Sequence, residues 1–187
     1  MPKNKVKFNV KNVHYALLKK GETGEITFDT PVPIPGARSI SMDPQGDVTK
    51  WYADGVVYYT TVANNGYDGS LEVAILPESF RTDVLGEKLD EKKVLVESSN
   101  VQPKNCALLF EFDGDQKGIR HVLYNCTVTR PTIAGNTTED SKEPETESIS
   151  ISASPLENGQ IKAKTSDATD EATYANWYKS VYVPTVA

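Results

Sequence analysis

Hydrophobic and polar positions alternate from the start of the chain. Val6, Phe8 and Val10 fall on one side and Lys5, Lys7, Asn9 and Lys11 on the other, the period of two that marks a half-buried β-strand. Val13, Tyr15 and Leu17 continue the alternation and predict a second strand after Lys11 and Asn12. The stretches 21–24 (GETG) and 31–36 (PVPIPG) punctuate the chain, leaving short strands at 25–28 and 37–42. Residues 43–54 (DPQGDVTKWYAD) are polar and turn-rich except for Trp51 and Tyr52, and predict a projecting loop. An apolar strand follows at 55–62. Asn65-Gly66 and Asp68-Gly69 then supply residues that tolerate positive φ before a strand at 71–76.

One segment departs from the β pattern. Residues 77–86 (PESFRTDVLG) open on Pro77, suited to a first helical turn, and close on Gly86, suited to a C-cap. Phe80 and Val84 lie four apart, hence on one helical face, which predicts a short helix packed on the sheet. After a strand at 94–97, residues 106–129 form the clearest hairpin: Cys106, Leu108, Phe110 and Phe112 share a face, as do Val122, Tyr124, Cys126 and Val128. Residues 131–146 are polar and predict a mobile surface loop. Residues 148–153 alternate Ser with Ile and Ala, and Asn158-Gly159 predicts a reversal into 160–165 as a second hairpin. Tyr174, Trp177, Tyr178, Val181 and Tyr182 form an aromatic tail expected to dock on the body. The pattern as a whole predicts a mainly β fold of one domain over 1–187.

Composition narrows the function. The chain has 187 residues, 38% of them hydrophobic, which suffices to bury a core without metal or disulfide staples. A formal net charge of -6 argues against general nucleic-acid binding, which needs clustered Lys and Arg. The charge is uneven: Lys3, Lys5, Lys7, Lys11, Lys19 and Lys20 precede any acid, whereas 131–160 holds six acids against Lys142 alone. These patches are either separate solvated surfaces or complementary surfaces for a head-to-tail contact between copies. No apolar run is long enough to span a bilayer and the Lys-rich start lacks a signal-peptide core, so a cytosolic site of synthesis is expected. The glycosylation sequons at Asn125 and Asn136 are then chance matches.

Candidate chemistry is sparse. His14 and His121 lie on different predicted strands without metal-ligand spacing around them. Cys106 and Cys126 are expected as reduced, buried thiols. Residues 113–118 (DGDQKG) begin like a calcium loop, but Lys117 and Tyr124 fall where oxygen ligands are required, which leaves a hairpin turn. No catalytic constellation and no cofactor is indicated. Trp51 and Tyr52 fit three roles: core residues at a strand start, anchors for a partner, or a carbohydrate platform.

Residues 106–131 (CALLFEFDGDQKGIRHVLYNCTVTRP), together with 7–18 (KFNVKNVHYALL), 78–87 (ESFRTDVLGE) and 143–155 (EPETESISISASP) in the same order, resemble the major tail proteins, or tail tube proteins, of long non-contractile-tailed bacteriophages of Gram-positive bacteria. The resemblance runs along essentially the whole chain. It implies a β-sandwich or barrel-like core with one short flanking helix near 77–86, six copies closing into rings, and rings stacking into a virion tail tube assembled in the host cytoplasm. It also implies partners of the tape-measure, tail-terminator and baseplate or tail-initiation type, DNA passing through the lumen without specific binding, and no membrane. By the same resemblance the loop at 43–54 with Trp51 and Tyr52, and the N-terminal Lys3, Lys5 and Lys7, are expected at subunit interfaces. Some relatives carry an added immunoglobulin-like domain, which is not expected here. The competing expectation is a surface adhesion or carbohydrate-binding β-sandwich using Trp51 and Tyr52.

Overall fold

The computed structural model describes residues 3–22, 24–137 and 144–184. Its strands are β1 (Lys7–Lys20), β2 (Ile26–Phe28), β3 (Val32–Pro33), β4 (Ala37–Gln45), β5 (Val48–Ala53), β6 (Val56–Val62), β7 (Gly66–Val73), β8 (Lys88–Leu89), β9 (Leu95–Val96), β10 (Cys106–Gly114), β11 (Ile119–Val128), β12 (Glu147–Ala153) and β13 (Lys162–Lys164). The main sheet is antiparallel in the order β2-β1-β10-β11-β12-β7-β4, with β3 also on β1 and β13 also on β11. It curls until β4 approaches β1, and the Ile34 amide donates to the Val13 carbonyl at 2.7 Å. No ladder joins β4 to β1, so the sheet is strongly curved and not a closed barrel.

The curl begins in β1. The two strands expected on either side of Lys11-Asn12 are one strand of 14 residues, bent by register slips against β10 between Phe8 and Val10 and between Lys11 and His14. Asn9 and Asn12 sit at φ of 24° and 52°, the region that Asn enters more readily than other side chains with a Cβ. Each slip inserts one residue and flips side-chain parity. Val10 therefore packs on the same core as Val13, Tyr15 and Leu17.

β10 and β11 are covered on both faces, which explains their nearly continuous apolar sequence. Cys106, Leu108 and Phe110 enter the core under the curl, while Ala107 and Leu109 enter a second core on the opposite face. The expectation that Val122, Tyr124, Cys126 and Val128 share one face is wrong. Cys106 pairs with Cys126 but Leu108 pairs with Leu123, so β11 carries one extra residue between the two pairs. That bulge sends Val122 and Tyr124 into the second core and leaves Cys126 and Val128 in the first.

The helix expected near 77–86 is present in modified form: an α-turn at Glu78–Phe80 (α1) runs into a π-helical turn at Arg81–Leu85. Gly86 ends it at φ 77°, where a Cβ would also strike Val101. Phe80 and Val84 are fully buried. The Phe80 ring meets Tyr15 edge-on at 5.1 Å, and the Tyr15 hydroxyl donates to Asp83 at 2.8 Å. Arg81 pairs with Glu147 at 2.6 Å, fastening the helix to β12.

Two further expectations are corrected. The strand expected at 71–76 runs from Gly66 to Val73, so Asp68-Gly69 lies inside β7, where Gly69 lets the Ser41 carbonyl of β4 come close. The second hairpin does not form, because β12 and β13 both pair with β11, one after the other along the same edge. Asn158-Gly159 does turn the chain, with Gly159 at φ 81°, but the turn closes on itself through Leu156 and Gln160 and the chain resumes its direction.

The aromatic tail docks as expected, through a helix that was not foreseen, α2 (Glu171–Asn176). Asp170 caps it by accepting from the Thr173 amide at 2.9 Å. Trp177 is buried in the second core and donates to the His121 carbonyl at 3.4 Å. Beneath the tail, the buried Glu111 carboxylate accepts from Arg120 at 2.8 Å and from the Tyr178 hydroxyl at 3.4 Å. The Arg120 guanidinium lies 3.7 Å from the centre of the Tyr174 ring. Residues 131–137 form no regular element, and the rest of the mobile loop expected over 131–146 lies partly outside the described residues.

Candidate assembly surface

The segment expected as a loop at 43–54 is strand for most of its length. β4 extends to Gln45, and β5 pairs with β6 as a two-stranded ribbon separate from the main sheet. The ribbon prolongs the β4–β7 ladder, because the Asn65 amide donates to the Gln45 carbonyl and the Ala63 amide to the Asp47 carbonyl. Its tip is the two-residue turn Asp54-Gly55, with φ of 52° and 77°. Positive φ at both positions is the type I′ geometry whose twist suits a hairpin.

Every residue of β6 is exposed, although its sequence is VVYYTTV. Trp51 is 59% exposed, Tyr52 61%, Tyr58 69% and Tyr59 62%, and Val48, Val56, Val57 and Val62 are exposed beside them. The reading of Trp51 and Tyr52 as core residues is therefore corrected. Trp51 pairs with Tyr59 and Tyr52 with Val57, with Tyr58 as an extra residue between them. Successive pairs alternate faces, so both faces of the ribbon carry aromatic or branched apolar groups. Two strands without a third are marginal in water, and an exposed apolar patch of this kind is a candidate contact surface.

The N-terminal lysines lie on another part of the molecule. Lys3, Lys5 and Lys7 are exposed, and their segment is tied to the β10–β11 turn. Asn4 accepts from the Gln116 and Lys117 amides at 2.9 and 3.0 Å and donates to the Lys117 carbonyl at 2.7 Å. The Lys5 amide donates to Asp115 at 2.8 Å, which holds that carboxyl below its ordinary pKa. No hydrogen bond or ion pair joins these lysines to Trp51 or Tyr52 among the described residues. The remaining N-terminal lysines are engaged within the chain: Lys11 with Asp113 and Glu111, Lys19 with Asp29, and Lys20 with Glu157. The proposed basic patch thus reduces to three residues. Of the acidic patch, Glu139, Asp140 and Glu143 lie outside the described residues.

Between the two regions the curled sheet opens into a mouth of about 380 Å³ with a mixed polar and aromatic lining. Phe110, Phe112 and His121 cluster at it, His121 lying parallel to Phe110 at 5.1 Å and Phe112 meeting both edge-on. Burial, followed by Lys164, Lys162 and Lys7, pushes the imidazole down to about 4. Cys106 and Cys126 are free and buried, and burial pushes the Cys106 thiol up to about 12, leaving no nucleophile there. Among the described residues no group of three or more His, Cys, Asp or Glu side chains is placed to hold a metal ion.

Of the exposed apolar residues on the ribbon, sequence reasoning singled out Trp51 and Tyr52 but not Val48, Val56, Tyr58, Tyr59 and Val62. The signal that identifies them is Asp54-Gly55 flanked by apolar runs, a hairpin turn in its own right.

A curved, open antiparallel sheet that carries an exposed apolar ribbon defines a β-rich fold with a candidate assembly surface. The same fold occurs in a chain of the cryo-electron microscopy structure of the sheath/tube terminator of PVC, an extracellular contractile injection system, in its extended state. The TM-score is 0.51 at 10% identity, over 87% of this chain and 99% of that one. A chain of the PVC sheath-tube complex in its extended state matches with a TM-score of 0.50 at 13% identity, over 87% and 93%. Among curated proteins no sequence matches this one. The phage tail tube protein family matches residues 3–181; the chain belongs to that family and is a structural subunit of a phage tail tube.

Proposed function

We propose that the whole chain acts as one tail-tube domain, six copies closing into a ring and rings stacking into the conduit through which the phage genome leaves. The observation that carries the role of individual residues is the β5–β6 ribbon, apolar on both faces and exposed on both. A partner on one side would leave the other face wet, so the ribbon fits between two neighbours in an assembled tube. Trp51 and Tyr52 are its anchors, with Tyr58 and Tyr59, and the exposed Lys3, Lys5 and Lys7 supply a second, polar contact. Each contact can be modest, since a subunit held by several neighbours gains from high effective concentration.

The role requires no catalysis. A formal net charge of -6 per copy, multiplied around a ring, disfavours adhesion of DNA to the wall. Tape-measure, terminator and tail-initiation proteins would set length and ends, and assembly would take place in the host cytoplasm. The carbohydrate reading is weaker, because Trp51 and Tyr58 meet edge to face at 82° and do not form a flat platform.

Negative-stain microscopy and sizing chromatography of the purified chain test the proposal. Rings or tubes of uniform diameter are expected, and replacing 47–63 by a short turn should abolish them while the monomer stays folded. A chain that remains monomeric at high concentration with tail-initiation proteins present would overturn it, and glycan binding lost on Trp51→Ala would favour the adhesin.

A further inference from the structure

The mouth of the curled sheet has an unusual charge arrangement. Its rim carries Lys7, Lys162 and Tyr67, and its walls include Phe110, Phe112 and His121, with no carboxylate among the lining residues. The Lys7 ammonium lies 4.6 Å from the centre of the Phe112 ring. Lys162 lies 4.2 Å from the centre of the Tyr67 ring and donates to its hydroxyl. Neither lysine has a carboxylate partner among the described residues. Two cations held only by rings and a hydroxyl, over a cavity of mixed polar and aromatic lining, make a receptor for a small, partly apolar group that carries one negative charge.

The chain contains such a group. Asp54 is the only acid between residues 48 and 62, and it sits at the exposed apex of the ribbon, flanked by Tyr52, Ala53 and Val56. It cannot reach the mouth of its own molecule. Tyr67 lies on the rim and pairs with Pro44 at the root of the ribbon, and the six residues of β5 carry the tip roughly 20 Å away from that root. A tip that fills a mouth would therefore come from another molecule.

We propose that the mouth receives the ribbon tip of a second copy, with the Asp54 carboxylate between the ammonium groups of Lys7 and Lys162. The inference rests on the assembly role of the ribbon and names its docking partner. The contact is heterologous, since tip and mouth are different surfaces, and it therefore propagates around a ring or along a filament.

A charge-reversal cycle on the full chain tests it, read as the concentration at which assembly begins by light scattering and sedimentation. Asp54→Lys and Lys162→Glu should each raise that concentration about tenfold or more, and the double variant should recover most of the loss. In parallel, Asp54→Cys and Lys162→Cys proteins are mixed under mild oxidation, the native thiols being buried. An intermolecular disulfide that forms only in the mixture is expected. Additive losses in the cycle, or no mixed disulfide, would overturn the docking site. If replacement of 47–63 still abolishes assembly, the ribbon's role survives that failure; if it does not, the ribbon reading itself falls.

Discussion

Two hairpins of this molecule are built from nearly the same kind of sequence and end in opposite environments. β10 and β11 are rich in Leu, Val and aromatic residues and are buried on both faces. β5 and β6, with Trp51, Tyr52, Val56, Val57, Tyr58 and Tyr59, are exposed on both faces. The difference lies in what flanks them. β10 lies between β1 and β11, with the helix and the curled sheet on one side and the aromatic tail on the other, whereas the β5–β6 ribbon has left the sheet at Gln45 and Gly66. An apolar strand on both faces states that cover is required; whether that cover comes from the same chain or from another copy is decided by topology.

The largest expected effect tests the buried member. Leu109→Ala in β10 should cost about 3 kcal/mol of stability in urea denaturation of the monomer. The same truncation at Tyr59 should leave monomer stability within about 0.5 kcal/mol, and comparable losses at the two sites would break the comparison. Next, Glu111→Gln removes the counter-charge of Arg120 beneath the tail and should cost about 3 kcal/mol, with a shift in Trp177 fluorescence as the tail loosens. An unchanged spectrum would detach the ion pair from tail docking.

The third effect depends on pH. The folded pKa of His121, about 4, lies below its unfolded value near 6.5, so the unfolded chain binds the extra proton first. Its contribution is complete above about pH 6.5 and is lost as pH falls towards 4, up to roughly 3 kcal/mol. His121→Phe should flatten that part of the stability curve, with the wild type's slope retained in the variant as the contrary result. The smallest effect on the monomer belongs to Trp51→Ala, within about 0.5 kcal/mol, although assembly should fall sharply. A variant that assembles normally would show that Trp51 is not an anchor.

Much of the buried half of this comparison was legible. The helix boundaries at Pro77 and Gly86, the pairing of 106–114 with 119–128, and the docking of Trp177 follow from local pattern and turn chemistry. What escaped depended on partners distant in sequence. The bulge in β11 that parts Val122 and Tyr124 from Cys126 and Val128 exists only relative to β10. The slips at Asn9 and Asn12 merge two expected strands, and Asn158-Gly159 formed its turn without reversing the chain. At the candidate assembly surface, Trp51 and Tyr52 stood out against polar neighbours, whereas Val56 to Val62 looked like any core strand.

The ribbon also bears on how a tube would grow. A two-stranded element with nothing against either face is held in shape mainly by its Asp54-Gly55 turn and cross-strand pairs, so the free subunit is expected to sample more than one ribbon conformation. Docking between neighbours, as proposed, would select one and cost the ordering entropy at that moment. A first ring would bear this cost with few compensating contacts, and a subunit joining an existing end would meet a formed surface. The expected kinetics of assembly are a lag that preformed ends abolish, because an existing end presents the formed surface that a first ring lacks.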